Sequence, residues 1–444
     1  MTNTPDSKRI SNDPEVIKEA LEALLKYQNS SISMRRVLRE MRTESASEQY
    51  TLHEPLALGV IRYLNTIDFL LARSLGSIRP QDLTPCDRNL LRLAIYDVRW
   101  LGSADTLEYA KGLSSSLCEV LDKAINLDFD ATIAHLPKVN QESLRYSHPT
   151  FIIETLLEHM GERDTWQLLS ANNSSRVYYL RPNKHREGHE ESIEKVQELG
   201  VRLIPDSSVK DLFRISSDVN TVVSSDLFQN GDVLIQDKAS ILTAKALHAS
   251  PAEIIWDACA APGMKTHLLT EMMNNTGRVV ASDVYTERIR PAKKRSEFLG
   301  VRNVCWVQAD ASRMKVKGAR RVLIDAPCSS TGMIQGHPSF KWRLNKEVLM
   351  SIMSVQHKIL DGVLRAYKDE PGTEIVYATC SILPHEGESQ IDSVMSTHNI
   401  ELIDTEIKGD TGYDGFQCSE MVRRLFPHKH ETSGFFIARM RIVQ

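Results

Sequence analysis

From Gly231 onward, short apolar runs alternate with helical stretches, and most of the runs end on an acid. EIIWDA, RVVASD, NVCWVQAD, RRVLIDAP, EIVYATC and GFFIARMR read as strands, while THLLTEMM, ERIRPAKKRSEFLG and NKEVLMSIMSVQHKILDGVLRAY read as helices between them. Apolar strands spaced by helices call for a mostly parallel, doubly wound, Rossmann-like α/β sheet covered on both faces. Ligands of such sheets sit in the crevice outside the carboxyl ends of the strands. Asp257, Asp283, Asp310 and Asp325 punctuate those ends, so the site is expected there.

The stretch DACAAPGMKT, Asp257 to Thr266, is a strand-to-helix turn. Its small residues Ala258, Ala260, Ala261 and Gly263 let a ligand approach the backbone, and the helix that follows offers free N–H groups for an anion. Lys265 adds positive charge. Asp283 ends the next strand, where an acid can accept ribose hydroxyls, and Asp310 ends the third, placed for an adenine amino group. These parts describe an adenosine-containing cofactor without separating S-adenosyl-L-methionine from a dinucleotide. A single glycine in place of G-x-G-x-x-G weakens the dinucleotide reading.

At 444 residues the chain is long enough for two or three domains. Residues 1–137 read as all-helical: Asp13-Pro14 is a start signal, and Ile17, Leu21, Leu24 and Leu25 share one helical face. A second helix carries Arg35, Arg36, Arg39 and Arg42, a cluster suited to phosphate. Leu58, Ile61, Leu64, Ile67, Phe69 and Leu71 suggest one longer buried helix, and DRNLLRLAIYDVRWLG another. Residues 138–230 read as a small α+β domain, with a helical connector from His148-Pro149, the strands RVYYLRPN and VRLIP, and the helix HEESIEKVQELG. Arg176, Arg181 and Asn183 are candidate RNA contacts there, with ordinary structural residues as the alternative. Residues 231–444 form the α/β domain. His185 and His189 bracket a glutamate as H-x-E-x-H, which is not the zinc-protease order, and no metal is expected.

The hydrophobic share of 41% and charged share of 25% suit a globular protein with a core, and no apolar run approaches the roughly 18–20 residues of a membrane span. With a polar N-terminus lacking a secretory signal, a cytoplasmic protein is expected, with a monomer as the favoured state. The net charge of −4 argues against indiscriminate nucleic-acid binding, yet Thr286 to Arg321 gathers eleven Lys and Arg against three acids. That run is either a nucleic-acid face or a solvated helix surface. Seven scattered cysteines without a CxxC pair indicate neither a disulfide framework nor a zinc ribbon.

QDKAS, DACAAPGMKT, IDAPCSSTG, HPSFKW, YATCSILPHE and FPHKHETSGFFIARM resemble, in order, the motifs of the RsmB/Sun family of RNA cytosine-5 methyltransferases, over roughly residues 140–444. ALGVIRYLNTIDFLL and LLRLAIYDV resemble the NusB-like RNA-binding domain of antitermination factors, matching the RsmB branch. The resemblance implies S-adenosyl-L-methionine as cofactor, contacted by Cys259, Ala260, Ala261, Pro262, Gly263, Met264, Lys265, Asp283, Asp310 and Asp325. Met264 stands where the family commonly has a second glycine.

Carbon 5 of cytosine is too weak a nucleophile to attack a methyl sulfonium unaided; a thiolate adding at carbon 6 makes the ring an enamine that can. Cys328 follows Asp325-Ala326-Pro327, and Cys380 follows Thr379, both at strand ends. The resemblance implies Cys380 as nucleophile, Cys328 as the helper in proton removal and release, and Asp325 as a hydrogen-bond partner of the ring. Lys341 and Trp342 of HPSFKW are candidates for phosphate and base, with a packed loop as the alternative. The RNA contacts expected are therefore Arg35, Arg36, Arg181 and Lys341. Small-subunit ribosomal RNA is the expected substrate, with transfer RNA open. A non-catalytic RNA-binding or assembly protein and a DNA methyltransferase acting through Cys328 are the rivals.

Overall fold

The computed structural model describes residues 14–44, 53–110 and 112–444. The start signal at Asp13 and the side chain of Arg42 lie outside what is described. The chain forms two compact units, one comprising the sequence up to Ser175 together with Ile334–Arg343, the other Arg176–Met333 together with Leu344–Gln444.

The first unit is helical throughout its described residues. Pro14–Gln28 buries Ile17, and its Leu21 and Leu24 join the core formed with the helices Met34–Glu44, His53–Arg62 and Pro85–Tyr96. The single long helix expected across Leu58–Leu71 is two, His53–Arg62 and Leu64–Leu75, bent by 74°. The break falls at Tyr63, whose backbone leaves the helical region (φ −109°, ψ 21°) and whose ring stacks on Trp100 at 4.7 Å. The helical region also runs past residue 137. Thr66 Oγ1 donates to Leu144 O at 2.5 Å and Asn65 Nδ2 to Ser143 Oγ at 3.2 Å, which fastens Lys138–Tyr146 to this unit, and Thr150–Asn173 follows. The compact unit that holds these helices extends to Ser175.

The second unit holds two sheets. The smaller is antiparallel, with strands β1 (Tyr179–Pro182), β2 (Leu203–Pro205), β3 (Phe213–Ile215) and β4 (Val233–Ile235) in the order β2-β3-β1-β4. The larger contains β5 (Ile254–Asp257), β6 (Arg278–Asp283), β7 (Val304–Gln308), β8 (Arg321–Asp325), β9 (Glu374–Thr379), β10 (Ile400–Ile403), β11 (Arg423–Leu425) and β12 (Phe435–Ile442). Its order is β10-β12-β9-β8-β5-β6-β7, with β11 on β12. The five strands β5 to β9 pair in parallel and β10 to β12 antiparallel, which is the mostly parallel α/β sheet expected. Residues 176–230 belong to the same compact unit as this sheet. Buried polar groups join the small sheet to the helix Met264–Met272: Arg181 of β1 pairs with Glu271 at 2.6 Å and donates to Gln236 at 2.8 Å, and Gln236 donates to Met264 O.

Register brings the carboxyl ends of the parallel strands level. Asp257 lies opposite Leu323, Asp283 opposite Gln308 and Asp325 opposite Ala378. The loops bearing acids and cysteines therefore issue from one edge.

Candidate active site

The turn after β5 is shaped by backbone bonds to both neighbouring strands: Ala258 N donates to Leu323 O and Ala260 N to Ser282 O, each at 2.8 Å. Gly263 then adopts φ +97°, a left-handed conformation that L side chains rarely take, and a Cβ there would sit 3.2 Å from the Trp306 ring. The helix Met264–Met272 begins immediately, its first turn pointing at the crevice. Asp257 is buried, receives only the Thr266 hydroxyl at 2.7 Å, and burial raises its pKa to about 7. Asp283, at the end of β6, is also buried; its Oδ2 makes no hydrogen bond, although Arg288 Nη1 lies 3.0 Å away. The buried indole N–H of Trp306 makes no hydrogen bond, and the Asp283 oxygen has only its ion pair with Arg288, which fits a ligand rich in hydroxyls and ring nitrogens. Arg288 also donates to Ala261 O at 2.5 Å, tying the turn to the β6 acid. Asp310 stands two residues past β7, half-exposed, and caps the next turn through Ser312 N at 3.0 Å.

Across the crevice, Lys265 Nζ pairs with Asp325 Oδ2 at 2.7 Å. Burial works against the ammonium, but the attraction and hydrogen bond of Asp325 outweigh it and hold its pKa up. Beyond Asp325 comes Cys328, whose Sγ lies 3.2 Å from Cys380 Sγ; both thiols are free. The Cys380 thiol is pulled below its ordinary value, first by the hydrogen bond from Cys328 and then by Ser330 Oγ at 3.5 Å and the charge of Lys265, against burial and Asp325. Cys328 is pushed well up by the same hydrogen bond and by burial. The pair is thus one thiolate-prone sulfur beside one that keeps its proton. Cys259, by contrast, is held up by burial and by the surrounding acids.

The two cysteine loops are cross-braced. Gly332 N donates to Cys380 O at 2.9 Å, Gly434 N donates to Gly332 O at 2.8 Å, and a Cβ on Gly332 would lie 1.9 Å from the Gly434 carbonyl oxygen. Ile382 N donates to Thr331 Oγ1 at 3.2 Å. Arg424 and Glu388, both fully buried, pair through Arg424 Nε at 2.6 Å, and the guanidinium also donates to Ser381 O and Leu383 O.

Three candidate RNA contacts are corrected. Arg181 is 5% exposed and is spent on Glu271, Gln236 and His267, and Asn183 is fully buried on Gly231 O and Leu299 O. Lys341 has no exposure: within the helical unit its ammonium donates to Arg62 O and Ser147 O, each at 2.8 Å, and to Asn173 Oδ1 at 3.1 Å. Trp342 Nε1 donates to Ile61 O, so HPSFKW is the packed loop. Arg35 is half-buried on Glu54 and Gly336 O, while Arg36 is exposed beside Glu40. Of the remaining cysteines Cys418 is buried, but Cys86 and Cys305 are exposed and are not core residues. His185 meets Thr270 Oγ1 and His189 meets Arg186 O. Arg288, read from the sequence only as part of a basic run, belongs to the site. An arginine five residues after a strand-terminal acid at a helix start was the available signal.

The family model described as 16S rRNA methyltransferase RsmB/F matches residues 244–441. Ribosomal RNA small subunit methyltransferase B of Photorhabdus laumondii is 28% identical over 423 residues, covering 92% of this chain and 94% of that protein. The 28S rRNA (cytosine-C(5))-methyltransferase of Mus musculus is 30% identical over 310 residues, 67% of this chain and 39% of that protein. A crystal structure of a methyltransferase homologue from Pyrococcus horikoshii aligns with a TM-score of 0.60 at 25% identity, over 69% of this chain and all of that one.

Proposed function

Because this chain belongs to the RsmB/Sun family of RNA methyltransferases, we propose that it is an S-adenosyl-L-methionine-dependent RNA (cytosine-5)-methyltransferase acting on small-subunit ribosomal RNA through Cys380. The observation that carries the mechanism is the pair of sulfurs 3.2 Å apart at the ends of adjacent parallel strands, one favouring the thiolate and one retaining its proton. Relatives named as ribosomal RNA and cytosine-C(5) methyltransferases support the substrate and the carbon methylated.

When bound, S-adenosyl-L-methionine supplies an electrophilic methyl group. The turn Cys259–Gly263, Met264, Lys265 and Asp283 would hold it, with Arg288 orienting Asp283, Asp310 at the rim and Asp325 at the cytosine side. Cys380 adds as thiolate to carbon 6, raising electron density at carbon 5. Asp325, kept in place by Lys265, accepts a hydrogen bond from the cytosine amino group or from protonated N3. Once carbon 5 is methylated, a base assisted by Cys328 takes its proton, the C–H electron pair restores the carbon 5–carbon 6 double bond, and Cys380 leaves as thiolate. The target base has to leave its stack to reach a sulfur in this crevice.

The helical unit is read as a NusB-like RNA-binding domain, supported by its helix-only build and by the sequence resemblance; exposed Arg36 on Met34–Glu44 and the exposed Arg290, Lys293 and Lys294 on Thr286–Phe298 would meet phosphate. No single helix among the described residues is long and apolar enough to cross a membrane.

Bisulfite sequencing of total RNA from cells with and without the gene tests the reading, with loss of at least one 5-methylcytosine in small-subunit ribosomal RNA expected. RNA carrying 5-azacytidine should be trapped by the wild type and not by Cys380→Ser. Equal trapping by both proteins would overturn the role of Cys380.

A further inference from the structure

Glu386 touches neither crevice nor solvent, yet it binds both cysteine loops. Its carboxylate is fully buried and takes the backbone N–H of Ser329 at 2.7 Å, the Ser329 hydroxyl, the Ser381 hydroxyl, and Gln356 Nε2 at 3.0 Å. Ser329 follows Cys328 and Ser381 follows Cys380. Gln356 continues the brace by donating to Pro327 O at 2.9 Å, the residue before Cys328. The acid is itself anchored, since its carbonyl accepts the hydroxyls of Tyr377 at 3.1 Å and Thr379 at 3.3 Å, both on β9.

Burying a carboxylate is costly unless donors surround it, and here the donors come from the two loops whose spacing matters. A carboxylate also differs from an amide in having acceptors only, so it can take N–H and O–H donors on both oxygens at once. Packing alone would be met by an apolar side chain. We propose that Glu386 is a positioning residue that sets the separation of the Pro-Cys and Thr-Cys loops, keeping the Cys328 thiol within hydrogen-bonding reach of the Cys380 sulfur. The inference rests on the proposed roles of the two cysteines. It adds that their spacing is set by a third group, acting through the serine that follows each cysteine.

The test is Glu386→Gln in the full chain, with a glutamine side chain that presents a donor where Ser329 N–H or a serine hydroxyl needs an acceptor. The first readout is the pH dependence of Cys380 alkylation by iodoacetamide, followed by peptide mass spectrometry with neither RNA nor cofactor present. The alkylation midpoint should move up by about 1 pH unit, as expected when a hydrogen bond to a thiolate is lost. Methylation kcat should fall roughly 10- to 100-fold at unchanged KM for RNA, the range expected for a misplacement near 1 Å. Urea unfolding identifies the folded fraction. If Glu386→Gln does not fold, the double variant Ser329→Ala/Ser381→Ala removes donors instead of the acid and should give the same alkylation shift. A wild-type alkylation profile in the folded variant overturns the proposal, whatever the change in stability. Failure of the parent reading is separable, because it would appear as trapping of 5-azacytidine RNA by Cys380→Ser, whereas the alkylation profile needs no RNA.

Discussion

Cys328 Sγ and Cys380 Sγ stand 3.2 Å apart, and the contact drives their acidities in opposite directions. A thiol that donates to its neighbour stabilises that neighbour's thiolate and delays its own ionisation. Cys380 is depressed and Cys328 raised, so as pH increases Cys380 ionises first. Alkylation of Cys380 should therefore set in below the pH of about 8.5 typical of a free thiol, with Cys328 still unmodified. Cys328→Ala removes the donor, and the Cys380 midpoint should climb. The same variant should accumulate RNA adduct on a gel, because attack survives while release is impaired.

Asp257 offers a stability prediction with a definite sign. Its folded pKa is raised to about 7, above the unfolded value, by burial and by the charges of Asp325 and Asp283, against the Thr266 hydroxyl and Lys265. The group favours the fold fully below the unfolded pKa and loses that contribution as pH rises toward 7. Asp257→Asn, which mimics the protonated acid, should abolish this slope and stabilise the protein at pH 8. At 1.36 kcal/mol per pKa unit the gain is about 4 kcal/mol at most. Urea unfolding at pH 5 and pH 8 measures it, and a gain equal at both pH values would contradict the assignment.

Lys265 and Asp325 pair at 2.7 Å with side-chain exposures of 12% and 30%. Lys265→Met leaves a partly buried carboxylate without its cation and should cost roughly 1–3 kcal/mol in denaturant unfolding. A double-mutant cycle with Asp325→Asn should return a coupling of about 0.5–3 kcal/mol. Additive losses would mean that the two side chains do not act on one another.

Lys341 and Arg36 separate a buried structural lysine from an RNA-binding cation. Lys341→Met orphans two carbonyls and the Asn173 side chain inside the helical unit and should destabilise by roughly 2–5 kcal/mol, leaving the salt dependence of RNA affinity unchanged. Arg36→Ala should do the reverse: little change in stability, and a salt slope reduced by about 1 if its guanidinium meets a phosphate. Filter binding at several salt concentrations, alongside urea unfolding, distinguishes the two.

What the sequence disclosed is what neighbouring residues encode. Strand-terminal acids, the small-residue turn and the Pro-Cys and Thr-Cys pairs are local patterns, and all lie along one edge of the parallel sheet. The break at Tyr63 was illegible because apolar spacing continues through it and only the aromatic stack on Trp100 marks the bend. Buried cations were misread for a similar reason. Lys341 looks like any basic residue beside a tryptophan, and its acceptors at Arg62, Ser147 and Asn173 lie far earlier in the chain. Arg181 finds Glu271 and Gln236 only through the fold, and Glu386 finds Ser329 in the same way. Long-range polar partners leave no periodicity to read.

The excursion of Ile334–Arg343 has a bearing on how the gene can be cut. Deleting everything before Arg176 would leave a tongue in the remaining polypeptide whose ammonium and indole had been built for carbonyls that are gone. A stand-alone catalytic fragment would expose that tongue as a sticky scar, so a soluble minimal enzyme requires replacing it with a short polar turn. The same interleaving makes the front half a poor cassette for recombination, since exchanging it means exchanging a piece from the middle of the reading frame as well.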